Sequence, residues 1–326
     1  MSGPEFLHSG KLARNAGTEL DLDAVIAVQA NTSAIERRAA TLGTRRTVKK
    51  DWQAAWLLKA VTCIDLTTLA GDDTEERVRR LCRKARQPVR QDLLERLGMA
   101  DAGITTGAVC VYHEMVPAAV EALKGTGIPV AAVSTGFPAG LSPFRLRVAE
   151  IEESVAAGAS EIDIVISRRH VLARDWQALY EEVRAFRAAC GEAHMKAILA
   201  TGELGSLRDV GRASMVAMMA GSDFIKTSTG KEAVNATLPV SLVMVRAIRS
   251  YYEATGFAVG YKPAGGISKA KDALVYLSMM QEELGRRWQE PDLFRFGASS
   301  LLGDIERQLE HHVTGRYSAA DRHPMA

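Results

Sequence analysis

The stretch "GSDFIKTSTGK", Gly221 to Lys231, decides how this sequence is interpreted. In it, the apolar pair Phe224 and Ile225 leads directly into Lys226, and hydroxyl residues, a glycine and a second lysine follow. An apolar run that ends in a polar, glycine-bearing segment is typical of a buried β-strand and its exit loop. The stretch alone leaves three interpretations of Lys226 open: a solvated surface charge, an ion-pair partner, or the reactive group of the protein.

The same pattern recurs along the chain and predicts eight strands. They are 62–67, 104–112, 128–135, 161–167, 194–201, 223–228, 258–265 and 293–299. Most are short, apolar on both faces and rich in Val and Ile, as expected for parallel strands that are buried from two sides. An eightfold alternation of strand and helix favours an α/β fold, a single (β/α)8 TIM barrel, over an open doubly wound sheet.

The segments between the strands carry helical periodicity. "DTEERVRRLCRKA" repeats apolar residues at spacings of three and four behind a predicted capping pair, Asp73 and Glu76. Helices are also expected before the first strand, where "TVKKDWQAAWLLKAV" predicts a packing face. That face consists of Trp52, Ala55, Trp56 and Leu57. The chain is predicted to divide into a lead that is disordered or a cloning remnant, N-terminal helices packed on the barrel, the barrel and a C-terminal tail. These parts are 1–20, 21–60, 61–310 and 311–326.

The composition of the 326 residues describes an ordinary globular protein, with 47% apolar and 25% charged residues. The 41 basic and 39 acidic residues nearly balance, so a nucleic-acid partner is not expected. The four cysteines form no CxxC pair, which argues against a zinc site or a disulfide framework and favours a reducing cytoplasm. No apolar run approaches the roughly 18 residues that a membrane span needs.

Polar residues concentrate at the predicted strand ends, where barrels of this kind place their chemistry. They are Asp65, Thr67, Asp163, Lys196, Lys226 and Lys262. Any one of the strand lysines is best explained as pointing outward, or as paired with Asp163 or Glu203. Three lysines and an aspartate on strands four to seven of one barrel favour a shared polar interior, because buried charges need partners.

Two glycine-bearing loops follow strands seven and eight, "KPAGGIS" at 262–268 and "GASSLL" at 297–302. Bare backbone amides and a helix N-terminus at these loops predict a phosphate-binding site. Lys231 is able to add a positive charge there. The alternative is that Thr229 caps a helix and Lys231 is solvated.

The motifs "FIKTSTGK", "KPAGGI", "EIDIVI" and "GASSLL" together resemble the deoxyribose-phosphate aldolase family. The likeness extends to "IDLTTLAGDDT", "AVCVY", "VSTGFPAG" and "LATGELG", and covers roughly residues 60–305. The flanking segments "RRTVKKDWQAAWLLKAVT" and "DIERQLEHHVTGRY" are similar to those of the longer, eukaryotic-type members.

The resemblance implies a class I aldolase of deoxyribonucleoside catabolism, without metal or other cofactor, on a (β/α)8 barrel. Such an enzyme interconverts 2-deoxy-D-ribose 5-phosphate with D-glyceraldehyde 3-phosphate and acetaldehyde. By motif, Lys226 is the Schiff-base lysine, Asp163 works in proton relay and Lys262 is the second lysine. The resemblance places Thr67, Cys110 and Thr229 at the substrate. It assigns phosphate binding to Gly230, Lys231, Gly265, Gly266, Gly297, Ser299 and Ser300.

Some members of that family end in a tyrosine that assists proton transfer at the acetaldehyde carbon. This chain ends "GRYSAADRHPMA", and its last tyrosine, Tyr317, lies nine residues before the end. Whether Tyr317 takes that role is open. Exposed helix stripes around a closed barrel are also compatible with a homodimer.

The chemistry explains why a lysine would be placed inside a barrel. Only a neutral amine attacks a carbonyl, and at a pKa of about 10.4 roughly one lysine in 2,500 is neutral at pH 7. Burial and the neighbouring ammonium of Lys262 would both lower the pKa of Lys226.

Two other classes of function stay open. A phosphosugar isomerase or another Schiff-base aldolase would share the phosphate site, whereas a non-catalytic binding protein would be expected to have lost Lys226, Lys262 or Asp163.

Overall fold

The computed structural model describes residues 14–45 and 48–323, so the first thirteen residues of the predicted lead lie outside the described chain. Eight strands form one sheet: β1 Ile64–Thr67, β2 Ala108–Tyr112, β3 Val130–Ser134, β4 Glu161–Val165, β5 His194–Ile198, β6 Phe224–Lys226, β7 Gly260–Lys262 and β8 Phe296–Gly297. The α-helices of the described residues are α1 Leu22–Ala27, α2 Thr32–Arg45, α3 Lys50–Thr62, α4 Glu75–Arg86, α5 Gln91–Arg96, α6 Val116–Ala122, α7 Phe144–Ala156, α8 Arg168–Leu172, α9 Trp176–Cys190, α10 Leu207–Met219, α11 Leu238–Thr255, α12 Ala270–Glu283 and α13 Ser300–Thr314.

All strand pairs are parallel, and each strand from β1 to β7 pairs with its neighbour in chain order. β8 returns to pair with β1, in the register Asp65 to Gly297. Two isolated bridges join β7 and its exit to the β8 segment, Tyr261 to Phe294 and Ala264 to Gly297. The sheet therefore closes on itself, and the predicted (β/α)8 barrel is confirmed.

The period of two along each strand separates the barrel interior from the helical shell. On β4, Ile162 and Ile164 belong to the apolar core between strands and helices. Glu161, Asp163 and Val165 alternate with them and point to the other face, into the barrel. Sequences such as "EIDIV" are apolar outward and polar inward, which places charge where a substrate can reach it.

Several strands are shorter than predicted because neighbouring geometry ends them. α3 continues through Thr62, so β1 begins only at Ile64. β7 stops at Lys262 because Pro263 has no amide to donate, and Gly265 and Gly266 then turn the chain with φ of +79° and +80°.

The N-terminal helices pack on one side of the barrel shell. α1 contacts α10, α2 contacts α11 and α12, and α3 contacts α12 and α13. Half of the packing face predicted for α3 is wrong, since Trp52 is 74% exposed and Ala55 is also exposed. In α3, Leu57 is buried as predicted and Trp56 packs partly buried against the core. The buried residues of α3 are Ala54, Leu57, Leu58, Ala60, Val61 and Thr62.

Residues 14–20, predicted to belong to the lead, lie against the N-terminal end of the barrel strands. Asn15 is buried there, and its side-chain amide donates to the carbonyls of Met218 and Ser222 at 2.7 and 2.9 Å. Gly17, with φ of +74°, comes so close to the α10–β6 turn that a Cβ would lie 2.6 Å from the Met219 carbonyl. This segment covers the end of the barrel opposite to the predicted site.

The N-cap of α4 lies one residue after the predicted Asp73. Thr74 is the N-cap, and its hydroxyl accepts from the Arg77 amide at 3.3 Å. Asp73 instead accepts from the Thr68 hydroxyl at 2.7 Å and the Ala70 amide at 3.0 Å, so it stabilises the loop after β1. Both residues satisfy amides, but only Thr74 begins the helix.

Candidate active site

The parallel register brings the polar strand residues together inside the barrel. Lys226 on β6 lies beside Lys262 on β7, and Asp163 on β4 lies beside Lys196 on β5. All four side chains are buried. Lys226 and Lys262 are the last residues of their strands, so their amines lie near the C-terminal mouth of the barrel.

Asp163 is the centre of this group. Its Oδ2 accepts from Lys226 Nζ and Lys262 Nζ, both at 2.8 Å, and its Oδ1 accepts from Lys196 Nζ at 2.8 Å. A single carboxylate therefore contacts the amino groups of three lysines. The structure places the predicted Lys226, Asp163 and Lys262 in direct contact, together with Lys196, the third strand lysine of the predicted polar interior.

A second layer of charges lies deeper in the barrel. Lys196 pairs with Glu161 at 2.6 Å, and Lys262 makes a close ion pair with Asp65. Arg295, in the segment between β7 and β8, pairs with Asp65 at 2.6 Å and with Glu161 at 2.9 Å. All of these side chains are buried.

Sequence reasoning missed Glu161 and Arg295 as members of the site. The signal for Glu161 was present, because it precedes Asp163 by two residues on a strand and so shares its face. Arg295 in "LFRFGAS" had a weaker signal, since only the closure of the barrel between β7 and β8 shows that it points inward.

The pKa values of the two lysines at the barrel mouth, Lys226 and Lys262, shift in opposite directions. Burial lowers the pKa of Lys226; the contact with Asp163 opposes this, and the charge of Lys262 adds to the lowering. Burial alone would also lower the pKa of Lys262, but Asp163 and Asp65 together raise it above the usual value. Lys262 is thus held as an ammonium ion, while Lys226 loses its proton more readily than an ordinary lysine.

The carboxylate between them is firmly ionised. Burial would raise the pKa of Asp163, but Lys196, Lys226 and Lys262 outweigh it and hold that pKa well below its usual range. Asp163 therefore keeps its negative charge at neutral pH and fixes the positions of three amines.

The wall of the barrel interior beside these amines is apolar. Cys110 on β2 belongs to a buried cluster with Ala131, Val133, Phe137, Val165 and Ile198. Burial raises the pKa of the Cys110 thiol, which keeps it neutral. Thr67, the register partner of Cys110, donates its hydroxyl to the Asp65 carbonyl at 2.7 Å.

The glycine-bearing loops lie together at the same mouth. The Ala264 to Gly297 bridge joins the exits of β7 and β8, and a Cβ on Gly297 would lie 2.7 Å from the Cβ of Ala264. Ser299 exchanges hydrogen bonds with the backbone of Thr67, and α13 begins at Ser300. Among the predicted phosphate residues, Gly265, Gly266, Gly297, Ser299 and Ser300 are therefore contiguous.

The loop after β6 holds the other two predicted phosphate residues, Gly230 and Lys231. Lys231 Nζ lies 3.4 Å from the Leu69 carbonyl and remains exposed. The Glu232 carboxylate accepts from the Thr229 amide at 3.0 Å, the Thr229 hydroxyl at 2.9 Å and the Gly230 amide at 3.2 Å. Glu232 was not predicted, and it engages the polar groups of two residues that were.

Within residues 14–45 and 48–323, no group of three or more His, Cys, Asp or Glu side chains is arranged to hold a metal ion. In the same ranges, no helix is both long enough and apolar enough to cross a membrane. The four cysteines are buried free thiols.

Comparisons with known proteins agree with this geometry. Residues 59–305 match the family described as DeoC/LacD family aldolase. The chain belongs to the DeoC/LacD aldolase family. Deoxyribose-phosphate aldolase of Bos taurus is 62% identical over 316 residues, which cover 96% of this chain and 99% of that protein. The Homo sapiens protein of the same name is 61% identical over 316 residues, with the same coverage of both chains.

Solved structures support the DeoC/LacD fold. An aldolase called QR15 is 26% identical, with a TM-score of 0.60, and the match covers 78% of this chain and 97% of that one. A tetrameric deoxyribose phosphate aldolase from Aeropyrum pernix has a TM-score of 0.56 at 23% identity, with 83% and 97% covered. The second likeness shows the fold alone.

Family membership makes this chain an aldolase, a lyase that breaks or forms a carbon–carbon bond. Of the classes that the sequence left open, the isomerase and the non-catalytic binding protein do not agree with the DeoC/LacD match. The recognition of the aldolase family from "FIKTSTGK", "KPAGGI", "EIDIVI" and "GASSLL" is confirmed.

The structure does not bring Tyr317 to the buried charge cluster around Lys226. Its side chain is 84% exposed and stacks on His311, with ring centroids 4.4 Å apart. α13 begins at the barrel mouth with Ser300, and His311 lies three turns further on. The chain after Tyr317 returns to the same helix, where His323 Nε2 lies 2.6 Å from a carboxylate oxygen of Glu310.

Proposed function

We propose that this aldolase cleaves 2-deoxy-D-ribose 5-phosphate reversibly to D-glyceraldehyde 3-phosphate and acetaldehyde through a Schiff base on Lys226. The observation that carries the proposal is the buried Lys226 amine, whose pKa is lowered beside the fixed ammonium of Lys262. The names of the bovine and human relatives support the substrate. A neutral amine is the form that attacks an aldehyde.

In the first step, the Lys226 amine adds to the C1 aldehyde of the sugar and gives a carbinolamine. The hydroxyl of the carbinolamine leaves as water when it receives a proton, and an iminium remains. Lys262, held as an ammonium by Asp163 and Asp65, is the donor in reach of that site.

In the second step, the C3 hydroxyl gives up its proton and the C2–C3 bond breaks, because the iminium accepts the electron pair as an enamine. The proton returns through water to Lys262, in contact with Asp163. Glyceraldehyde 3-phosphate leaves, and C2 of the enamine takes up a proton from Lys262 through water. Hydrolysis of the iminium then releases acetaldehyde and the neutral Lys226 amine, and the proton that it sets free returns to Lys262. Asp163 keeps its charge throughout and orients both amines.

The sugar phosphate is proposed to bind at the loops after β6, β7 and β8. The residues are Gly230, Lys231, Gly265, Gly266, Gly297, Ser299 and Ser300. The support is their common position at the barrel mouth, together with the positive dipole at the start of α13, where the N-cap Ser299 makes no side-chain capping bond. A remote anchor of this kind aligns C1 with Lys226 and contributes to catalysis by positioning.

The remaining pocket residues are proposed to line the sugar chain. Thr67 and Cys110 lie side by side on β1 and β2, and Thr229 lies on the β6 loop between Lys226 and Lys231. The neutral thiol of Cys110 belongs to the apolar wall and is not a nucleophile in this proposal.

The route needs no metal, since the iminium serves as the electron sink, so EDTA is expected to leave activity unchanged. A cytoplasmic enzyme that assembles as a homodimer is also proposed, although the Aeropyrum pernix relative is described as a tetramer. Light scattering coupled to size-exclusion chromatography measures the assembly directly. A monomer or a tetramer in that measurement would contradict the dimer.

Reductive trapping tests the mechanism and the site together. Borohydride added with acetaldehyde is expected to leave a stable ethyl group on Lys226, found by mass spectrometry of the peptide. Lys226→Met is expected to abolish both the adduct and retro-aldol activity, whereas the exposed Lys271→Met serves as a control that keeps both. Full activity of Lys226→Met would refute the Schiff base.

A further inference from the structure

The buried charge cluster around Lys226 has more positive than negative groups. Its cations are Lys196, Lys226, Lys262 and Arg295, and its carboxylates are Asp65, Glu161 and Asp163. Four positive against three negative charges leave one positive charge unbalanced in the barrel interior. Loss of one proton from a lysine balances the cluster, and a low-dielectric interior favours that state.

Contacts within the described residues identify which lysine gives up its proton. Lys196 lies within 4 Å of three carboxylates, and Lys262 and Arg295 each contact two. Lys226 contacts Asp163 alone, and it shares that Oδ2 with Lys262. Of the four cations, the ammonium form of Lys226 is therefore stabilised least by the carboxylates of the cluster.

Two other titratable groups, Cys110 and His194, face the cluster. Cys110 on β2 stays a neutral thiol, since burial raises its pKa. His194 at the start of β5 lies near Glu161, and its positive charge when protonated lowers the pKa of that carboxyl, so protonation of His194 adds to the positive excess of the cluster. Glu161 itself is ionised because Arg295 and Lys196 outweigh the effect of its burial.

We propose that Arg295 is a positioning residue that keeps Lys226 in its reactive amine form. Arg295 contacts neither Lys226 nor the mouth of the barrel; it acts through Asp65 and Glu161, which it holds at 2.6 and 2.9 Å. A guanidinium cannot lose its proton in a protein, so it supplies a fixed positive charge. The inference rests on the proposed Schiff base at Lys226.

Removal of Arg295 removes the excess positive charge of the cluster. The cluster then has three cations and three carboxylates with Lys226 protonated, so the balanced state is the unreactive ammonium. Removal of Glu161 has the opposite effect, because the cluster then carries an excess of two positive charges. A double change of Arg295 and Glu161 restores the original excess of one.

The test is the pH dependence of kcat/KM for 2-deoxy-D-ribose 5-phosphate in the intact enzyme. Arg295→Gln is expected to move the acid limb of the profile to higher pH by about one unit, a loss of about tenfold below the limb. Activity recovers at alkaline pH, where Lys226 is neutral again. Glu161→Gln moves the limb to lower pH, Arg295→Lys keeps it in place, and the double variant E161Q/R295Q returns it to the wild-type position.

A merely structural role predicts a different result. If Arg295→Gln lowers kcat/KM by the same factor at every pH, or if the double variant is no closer to wild type than the single one, the proposal is overturned. If Arg295→Gln does not fold, as judged by circular dichroism, an unmoved acid limb in Glu161→Gln is the result that overturns it.

A second measurement separates this inference from the proposed reaction. Reductive methylation with formaldehyde and cyanoborohydride, followed by mass spectrometry of the Lys226 peptide, reports the neutral amine directly. The pH midpoint of Lys226 labelling is expected to rise in Arg295→Gln and to fall in Glu161→Gln. Failure of acetaldehyde trapping with shifted labelling midpoints refutes only the reaction, whereas unshifted midpoints refute the role of Arg295.

Discussion

Asp163→Asn tests how strongly one carboxylate holds the site together. In the folded enzyme this group accepts from three lysines, each at 2.8 Å, and it is fully buried. The amide is nearly the same size but has no charge, so the lysines lose their shared counter-ion. Removal of one partner from a buried ion pair costs about 3–5 kcal/mol in the free energy of unfolding.

Urea denaturation at pH 7 measures this cost, and Asp92→Asn is the matched control. Asp92 pairs with Arg90 at 2.6 Å at the surface, where such a pair contributes about 0.2–1 kcal/mol. The difference between Asp163→Asn and wild type is also expected to depend on pH. The folded pKa of Asp163 is depressed, so its stabilisation is complete above the unfolded pKa of about 3.9 and is lost as pH falls through the folded value.

Activity is expected to fall by about 10²–10⁴ in Asp163→Asn, the range for loss of proton transfer, because Asp163 holds Lys262, the proton donor, and Lys226 in position. Borohydride trapping of acetaldehyde on Lys226 would still occur, more slowly, because the amine remains. A loss of stability below about 1 kcal/mol, or no larger than that of Asp92→Asn, would show that the three lysines do not depend on this charge. Unchanged retro-aldol activity would remove Asp163 from the mechanism.

Three further outcomes are expected from single substitutions. Gly297→Ala places a Cβ 2.7 Å from that of Ala264 and 3.3 Å from Lys262 Cε, so kcat/KM is expected to fall. Gly303→Ala, where the added Cβ meets open space, is the control and has no effect. Glu232→Gln replaces charged by neutral hydrogen bonds to the β6 loop, a loss of about 1 kcal/mol that raises KM about fivefold with kcat nearly constant. Tyr317→Phe leaves kcat within about twofold, since the side chain is exposed; a large loss in steady-state assays would return Tyr317 to the site.

The barrel was predictable because its signal is repeated eight times. Each strand is a short apolar run before a polar loop, and errors in single boundaries do not change the alternation. The boundaries themselves depended on contacts that periodicity does not contain. α3 continues to Thr62, and β1 begins only at Ile64, where its residues come into register with β2 and β8. β8 itself is only two residues long.

The error at α3 has a physical cause of the same kind. Two helix faces of "DWQAAWLLKAV" are apolar, and the sequence does not say which of them meets the barrel. α12 and α13 pack on the face with Leu57 and Leu58, which leaves Trp52 exposed. Aromatic residues dominate a hydrophobic pattern by size, but the shape of the neighbouring helices decides the buried face.

The site residues were less evenly predictable. Lys226, Asp163 and Lys262 stood out as charges inside apolar strands, and the structure places them in contact. Their predicted roles remain predictions. Arg295 could not be selected from sequence, because it lies in a segment that is not itself a strand and reaches the interior only through the closure of the barrel.

The unequal charges of the cluster separate the needs of folding from those of the reaction. Folding alone would favour equal numbers of cations and carboxylates, since an unpaired buried charge is destabilising. The extra cation is the lysine with the fewest carboxylate contacts, at the end of β6 nearest the mouth. The same free energy that destabilises Lys226 as an ammonium ion lowers its pKa and so favours the reactive amine. The cost to the fold and the reactivity of Lys226 therefore have one cause. A variant that reduces this cost to the fold is therefore expected to make Lys226 less reactive.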